Sequence, residues 1–350
     1  MKTSGISLNS GEKISLIQNL STMLSAGISL LEAIDALLED ARGKHKKFLE
    51  IVKEDVSQGN HLYNSFSRFP LVFDAVTVNL LKASEEAGTL ETTLQDLKSN
   101  IQKEMEFSDK VKSAMIYPVL IGMVFLGVLL LMLVVVVPKI SSVFLRLRME
   151  LPMPTKILIA LSDLLVKNTL MVFVVMGVSA AVVAYLFRNH RHLILAPLIH
   201  LPVISGLVRE MDLTRFSRSF SLLLHAGVPI ISALDLTKDV VISRDTYKII
   251  VASGEMVAAG KKLSEGFKLG KGIIPSIMIK LMEVGEKSGA LEKSMQEISD
   301  YMDYQVSKSL RTFTALLEPV MLLVVGVLVG GMMMAIIAPI YGLIGQVGIR

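Results

Sequence analysis

Leu20-Ser-Thr-Met-Leu-Ser-Ala-Gly-Ile-Ser-Leu-Leu-Glu-Ala-Ile-Asp35 returns two hundred residues later as Phe220-Ser-Leu-Leu-Leu-His-Ala-Gly-Val-Pro-Ile-Ile-Ser-Ala-Leu-Asp235. Ala26-Gly27 falls on Ala226-Gly227, Ala33 on Ala233 and Asp35 on Asp235. Further along, Gly59, Leu62 and Phe66 fall on Gly260, Leu263 and Phe267. Glu85-Glu86-Ala87-Gly88-Thr89-Leu90-Glu91 then falls on Glu286-Lys287-Ser288-Gly289-Ala290-Leu291-Glu292, and Pro118 and Pro138 on Pro319 and Pro339. Matches in one order at nearly one spacing identify an internal duplication, so one structural unit is used twice.

That unit reads as helical. Leu16, Ile17, Leu20, Met23 and Leu24 form the apolar stripe of an amphipathic helix. Gly27 breaks it, and Ser29-x-x-Glu32 is a capping box for the next helix. In the second copy Pro229 suits a first helical turn. Gly88 and Gly289 are placed to take the left-handed conformation that ends one helix before another begins. The next helix carries Leu90, Leu94, Leu97 and Ile101, and its twin Leu291, Met295, Ile298 and Met302, a packing seam at spacings of three and four. Helices at about 43–58, 60–67 and 74–87 complete roughly six per repeat, a compact bundle. In each repeat the last helix is expected to run on toward an apolar stretch.

The chain is apolar overall. Residues of the AVILMFWYC set make up 52% of the 350 residues and charged residues 19%, with mean hydropathy +0.57. A globular chain carries about 25% charge, so this one has apolar mass to place in lipid. Three stretches reach the roughly 20 residues of helix that a hydrocarbon core requires: 114–137, 168–187 and 315–340. The first begins at Ala114, far from Met1, so none reads as a signal peptide and the N-terminus is expected on the side of synthesis. Cysteine is absent, which excludes disulfides, thiolate metal sites and a cysteine nucleophile. The net charge is +4 and the basic residues are spread along both polar segments, which lends little support to nucleic-acid binding.

The predicted fold is therefore all-α: an integral membrane protein with two homologous six-helix-bundle cytoplasmic domains and three transmembrane helices. Its segments are 1–113 (first head), 114–137 (first span), 138–167 (short outer loop), 168–187 (second span), 188–314 (second head), 315–340 (third span) and 341–350 (short outer tail). The span 168–187 has no repeat partner and returns the chain, so that both heads lie on one side. The positive-inside count is a weak vote for the same arrangement, with Lys98, Lys103, Lys110, Lys112, Arg188, Arg191, Lys308 and Arg311 inside against Lys139, Arg146, Arg148, Lys156, Lys167 and Arg350 outside. Prolines 118, 138, 319 and 339, near span ends, are expected to cap rather than kink.

Ala26-Gly27, Ala226-Gly227, Tyr117-Pro118, Glu318-Pro319 and Gly285-Glu286-Lys-Ser-Gly289-Ala-Leu291 resemble the duplicated domain of the type II secretion F / type IV pilus platform family. The first repeat departs from the pattern, with Ser84-Glu85-Glu86-Ala87 where Gly-Glu-x-Ser is usual, and its shorter N-terminal extension suits the pilus-type branch. The resemblance implies a non-enzymatic scaffold of the bacterial inner membrane, multi-pass, with the N-terminus cytoplasmic and the C-terminus periplasmic. The implied partners are a hexameric cytoplasmic ATPase, pilin or pseudopilin subunits, other inner-membrane assembly proteins, the lipid bilayer and further copies of the chain.

Few residues offer chemistry of their own. Ala258-Ala259-Gly260-Lys261-Lys262 superficially resembles a phosphate loop but lacks its second glycine and its hydroxyl, and reads as a helix end. His190 and His192 flank Arg191 as a basic patch at the lipid, and His225 beside the Ala-Gly turn reads as packed or capping. No catalytic set, cofactor site or metal site is expected. Glu85, Glu86, Glu91 and Asp96, with Glu286 and Glu292 as partial twins, form an acidic run at a helix junction. It reads as favourable charge at a helix N-terminus, as a docking surface for a basic partner centred on Glu86, Glu91 and Glu292, or as a calcium site between protomers. Gly326-x-x-x-Gly330 permits close helix approach within the chain or between copies, and Glu318 at the membrane edge is placed to snorkel or pair with Arg311. The competing class is a small multi-span transporter or channel subunit. It would place ionisable groups at the midplane, and these spans carry none there.

Overall fold

The structure, a computed structural model, describes residues 6–146, 153–167 and 202–347. In chain order its helices are α1 (Ser10–Ser25), α2 (Leu30–Asp40), α3 (Gly43–Ser57), α4 (Leu62–Ser67), α5 (Ala75–Ala87) and α6 (Leu90–Leu131). A π-helical turn, Met132–Val136, leads to α7 (Val137–Arg146) and α8 (Met153–Lys167). Then come α9 (Pro202–His225), α10 (Ile230–Thr237), a 3-10 turn (Lys238–Val240), α11 (Arg244–Ala258), α12 (Leu263–Lys268), α13 (Ser276–Ser288) and α14 (Leu291–Val347). Among the described residues there is no strand, only an isolated bridge between Lys271 and Ile274. The expected second span, 168–187, and the patch around His190 and His192 lie outside the described residues.

The chain divides into two compact units, Met1–Lys110 with Gly206–Lys308, and Val111–Ser205 with Ser309–Arg350. The first unit holds the helical heads of both repeats. Local signals start and stop its helices where the sequence places them. Asn9 caps α1 and receives the Glu12 N–H at 2.8 Å, while the Glu12 carboxylate accepts the Asn9 N–H at 2.8 Å. Ser29 and Glu32 close the same reciprocal box on α2. An N-cap of this kind stabilises a helix by about 1 kcal/mol. Pro229, expected in the first turn of α10, stands one place earlier as its N-cap, with ψ 141°. Gly88 and Gly289 both hold φ 70°, which lets the Thr89 N–H return to the Ser84 carbonyl (2.8 Å) and the Ala290 N–H to the Gly285 carbonyl (2.9 Å).

Each repeat has its own core. In the first, Phe48 packs against Phe66, Phe69 and Phe73 at centroid distances of 5.7, 4.8 and 6.1 Å, joined by Leu16, Ile17 and Leu20 from α1 and Leu94 and Leu97 from α6. In the second, Phe216, Phe220 and Phe267 meet Met278, Met282, Met295, Ile298 and Met302. Full burial of one such side chain contributes about 1.5–3 kcal/mol. The cores interpenetrate, since Val76 of the first repeat joins the second core while Leu222 and Ala226 pack on the first.

Two helices are long and apolar enough to cross a membrane, Leu90–Ser142 and Leu291–Gly331. Each is continuous with the last helix of a repeat, as α6 and α14. The prolines depart from expectation. Pro118 lies inside α6, Pro319 and Pro339 lie inside α14, and Pro138 is the second residue of α7. At Pro138 the structure supplies the reason. In a π turn the N–H of residue 138 would reach the Leu133 carbonyl five residues back, and proline has none. The Ser162 hydroxyl from α8 donates to that carbonyl instead, at 2.6 Å and fully buried. The segment 138–167, expected as a connecting loop, is thus largely helical, with α8 packed on α7 and the π turn through Thr155 and Ser162. The expected tail at 341–350 is likewise helical as far as Val347.

Candidate functional site

The polar groups of the first unit gather where the two repeats meet. Residue Arg218 of α9 sits in a helix whose neighbours Phe216 and Phe220 are core, and only 8% of its side chain is exposed. Its guanidinium reaches Glu104 of α6 (3.1 Å) and Asp303 of α14 (3.8 Å), and lies 5.8 Å from the Phe107 ring centroid. Arg215 takes the other Glu104 oxygen at 3.2 Å. Lys110 meets Asp303 at 3.0 Å, and Lys103 meets Asp300 at 3.8 Å. Apart from the buried Arg218 these groups are partly exposed, and ion pairs of that kind add little net stability. They hold the repeats in one register.

His225 closes the seam. Its Nδ1 lies 2.6 Å from Glu292 and its Nε2 3.4 Å from Asp96, so one ring ties α9 both to α14 and to α6. The hydrogen bond to Glu292 raises the imidazole above its ordinary value, the Glu292 and Asp96 charges add to this, and burial opposes it. With each ring nitrogen facing a carboxylate, the protonated form is favoured. The expectation of a packed or capping histidine is replaced by an ion-paired one, more than half exposed. A cleft of about 200 Å³ opens here, lined by Asp96, Asn100, Lys103, Arg218, His225 and Glu292. Beside it a second, of about 350 Å³, runs between Thr89, Thr92 and Thr93 on one side and Ala226-Gly227 on the other.

The acidic run is split by its environment. Glu85 is turned inward, accepting the N–H groups of Leu62 (3.0 Å) and Tyr63 (3.2 Å), with His61 at 3.3 Å. Its twin Glu286 accepts from the Leu263 and Ser264 N–H groups and the Ser264 hydroxyl. Each carboxylate thus caps, from over twenty residues away, the short helix α4 or α12, which has no side-chain cap of its own. A third distant cap is Asp212, fully buried in α9, which accepts from Ile242 (2.8 Å) and Ser243 (2.6 Å) ahead of α11. Burial raises its carboxyl above the usual range, and the two N–H groups and Arg215 partly offset this. Glu86 and Glu91 stay exposed, while Glu292 is paired as described. Leu291 is buried and Leu90 half-buried at the starts of their helices.

Sequence reasoning missed Arg215, Arg218, Glu104 and Asp303. The signal was available in the duplication, because the first repeat has Ser15 and Gln18 where the second sets two arginines beside the core residues Phe216 and Phe220. Gly285, where the first repeat has Ser84, is a close-approach point. A Cβ there would lie 2.5 Å from the Ser294 hydroxyl and 3.1 Å from the Leu291 Cα. In the other unit, nothing described comes within 4 Å of a Cβ placed on Gly326 or Gly330. Glu318 is exposed and makes no ion pair with Arg311 among the described residues, seven residues or about 10 Å along the same helix. Gly260 with φ 78° ends α11, and Lys262 stands just ahead of α12, so the lysine-rich stretch is a helix junction.

A duplicated, all-helical head whose terminal helices run unbroken into apolar stretches of membrane-spanning length defines a class of membrane protein built on paired helical domains. Within that class the chain belongs to the family described as "Type II secretion system (T2SS), protein F", which it matches over residues 16–138 and again over 216–339. The two matches coincide with the two repeats. The chain is 32% identical to the type IV pilus assembly protein PilC of Thermus thermophilus over 95% of this chain and 82% of that protein. It is 30% identical to the type IV pilus assembly protein PilC of Pseudomonas aeruginosa over 99% and 96%. It is 27% identical to the type II secretion system protein F of Aeromonas hydrophila over 95% and 87%.

Proposed function

We propose that this chain is the inner-membrane platform of a type IV pilus or type II secretion machine. It has no catalytic role of its own and couples a cytoplasmic hexameric ATPase to the polymerisation of pilin or pseudopilin subunits. Support comes from the relatives' names, pilus-type first among them, and from the packing of both repeats into one unit, which suits heads on a single face of the membrane. The topology that goes with this has both heads and the N-terminus cytoplasmic, the span 168–187 returning the chain, and the C-terminus periplasmic. Other inner-membrane assembly proteins and further copies of the chain complete the partner set.

The observation that carries the coupling is helix continuity. Leu90–Leu131 and Leu291–Val347 are single helices, each beginning in a repeat's core and ending in an apolar run. A displacement of the heads is transmitted along such a helix, whereas a flexible linker would dissipate it. The test is a flexible Gly/Ser insert after Lys112 and another after Arg311, in the full chain in cells that assemble the fibre. The expected result is loss of assembly or secretion while the detergent-extracted chain still pulls down the ATPase. Normal assembly with both inserts would overturn the coupling.

A further inference from the structure

The two repeats do not meet face to face. The contact joins the α5/α6 face of the first repeat to α9, α10 and the Asp300–Asp303 edge of α14 in the second, leaving the Tyr301–Tyr304 side of α14 outside it. Val76 and Phe107 of the first repeat are 4% and 1% exposed, and Arg218 of the second is 7% exposed. The duplication names the counterpart of every residue. On the second repeat the counterparts of Val76, Ala83, Asn100 and Lys103 are Ile277, Val284, Tyr301 and Tyr304, and they are 38%, 61%, 37% and 65% exposed. On the first repeat the counterpart of Arg218 is Gln18, which is exposed, and Ile28 is exposed where its counterpart Val228 is half-buried. Each repeat therefore carries one face of each kind. One of each is joined within the chain, and one of each is left free.

We propose that the open α13/α14 face of the second repeat receives the α1/α2 face of the first repeat of a second copy of this chain, head to tail. The contact would repeat the one already made inside the molecule. An interface of two unlike faces closes into a ring or runs on as a helix, depending on its rotation. The counterpart residues suit each other. Arg215 and Arg218 on Glu104 become Ser15 and Gln18 on Gln305, neutral hydrogen-bonding groups on both sides, and Arg218 over Phe107 becomes Gln18 beside Lys308, an amide oxygen facing an ammonium. His225 against Asp96 becomes Ser25 against Glu297, a hydroxyl facing a carboxylate. The apolar contact of Val76 with the core that Val228 packs on becomes Ile277 with Ile28. Tyr301 and Tyr304 contribute the aromatic area in which interfaces are enriched. Without the internal charge pairs, the contact between copies is predicted to be the weaker and less salt-sensitive of the two. It specifies the self-association included in the function above, but rests on the repeat geometry and not on the ATPase.

The natural chain has no cysteine, so single thiols can be placed at will. Full-length Ser25→Cys with one affinity tag and Glu297→Cys with another are co-expressed in membranes and treated with a short bis-maleimide. The expected product is a cross-linked dimer carrying both tags, absent when either variant is expressed alone. Adding Tyr301→Asp and Tyr304→Asp to the Glu297→Cys chain is expected to lower its yield about tenfold, as loss of buried aromatic anchors does. Cross-linking of Glu297→Cys to itself, adducts only with a different protein, or uncross-linked monomer would each overturn the proposal. Loss of ATPase pull-down with the two-tag dimer retained would remove the coupling reading and leave this one standing.

Discussion

Gly266 lies in α12 where that helix crosses α11, and Gly266→Ala tests the packing of the second repeat. A methyl added there would sit 2.6 Å from the Ser253 Cα, 2.6 Å from its Oγ and 2.7 Å from its Cβ. Carbon atoms in contact stand about 3.5–4.0 Å apart, so the gap must widen by roughly 1 Å. Rotating the serine relieves only the hydroxyl. The Cα is backbone of a helix, and that hydroxyl is already bonded to the Ile249 carbonyl at 2.7 Å. Overpacking of this kind costs about 1–3 kcal/mol, and with a backbone atom in the clash the upper end applies. Alanine returns up to about 1 kcal/mol of helix propensity. The net loss is about 2 kcal/mol, or about 4–8 °C in Tm for a unit of this size. Thermal unfolding of the full chain in detergent, followed by helical circular dichroism, measures it. The first repeat supplies the control, since its counterpart Ser65 is buried with a hydroxyl lacking a described hydrogen-bond partner, and Ser65→Ala is expected to be neutral or slightly stabilising. A Gly266→Ala chain melting at or above the natural one would refute the close-packing argument.

Other outcomes rest on the caps and the seam. Glu85→Ala and Glu286→Ala each strand two backbone N–H groups and are expected to cost about 2–3 kcal/mol, with faster hydrogen exchange at Leu62–Tyr63 and Leu263–Ser264; unchanged exchange would contradict the capping role. Arg218→Ala is expected to cost about 1–2 kcal/mol and to sensitise the first unit to protease, because Glu104 is left to Arg215 alone and Asp303 to Lys110. His225 is raised in the folded state, so its contribution is complete below the unfolded value of about 6.5 and fades as pH climbs through the raised folded value. The difference in melting temperature between the natural chain and His225→Asn should therefore shrink from mildly acidic to alkaline pH, and a difference that grew would contradict the clamp.

Much of the fold was readable because its signals are local. The capping box at Ser29–Glu32, the left-handed glycines at 88 and 289, and the seams of Leu90–Ile101 and Leu291–Met302 depend on residues within a turn or two of each other. The duplication carried the rest of the architecture. Contacts made across the chain were not readable. Glu85 and Glu286 were legible as acidic residues near a helix start, but the helix they cap begins more than twenty residues earlier in sequence. The seam of Arg218, Glu104 and Asp303 spans both repeats, and only the asymmetry against Gln18 hinted at it. The prolines misled because proline ordinarily ends a helix. At Pro138 the missing donor is replaced by Ser162, more than twenty residues away. Glu86 and Glu91, for which the sequence offered a docking role among other readings, are exposed.

Everything proposed for the machine requires both heads to share one aqueous compartment. Asp35→Cys and Asp235→Cys, made singly in the cysteine-free chain, report this directly with a membrane-impermeant maleimide. Both positions should stay unlabelled in intact cells and react together once the inner membrane is opened. Labelling of one position from outside while the other stays protected would place the repeats on opposite faces and contradict the account.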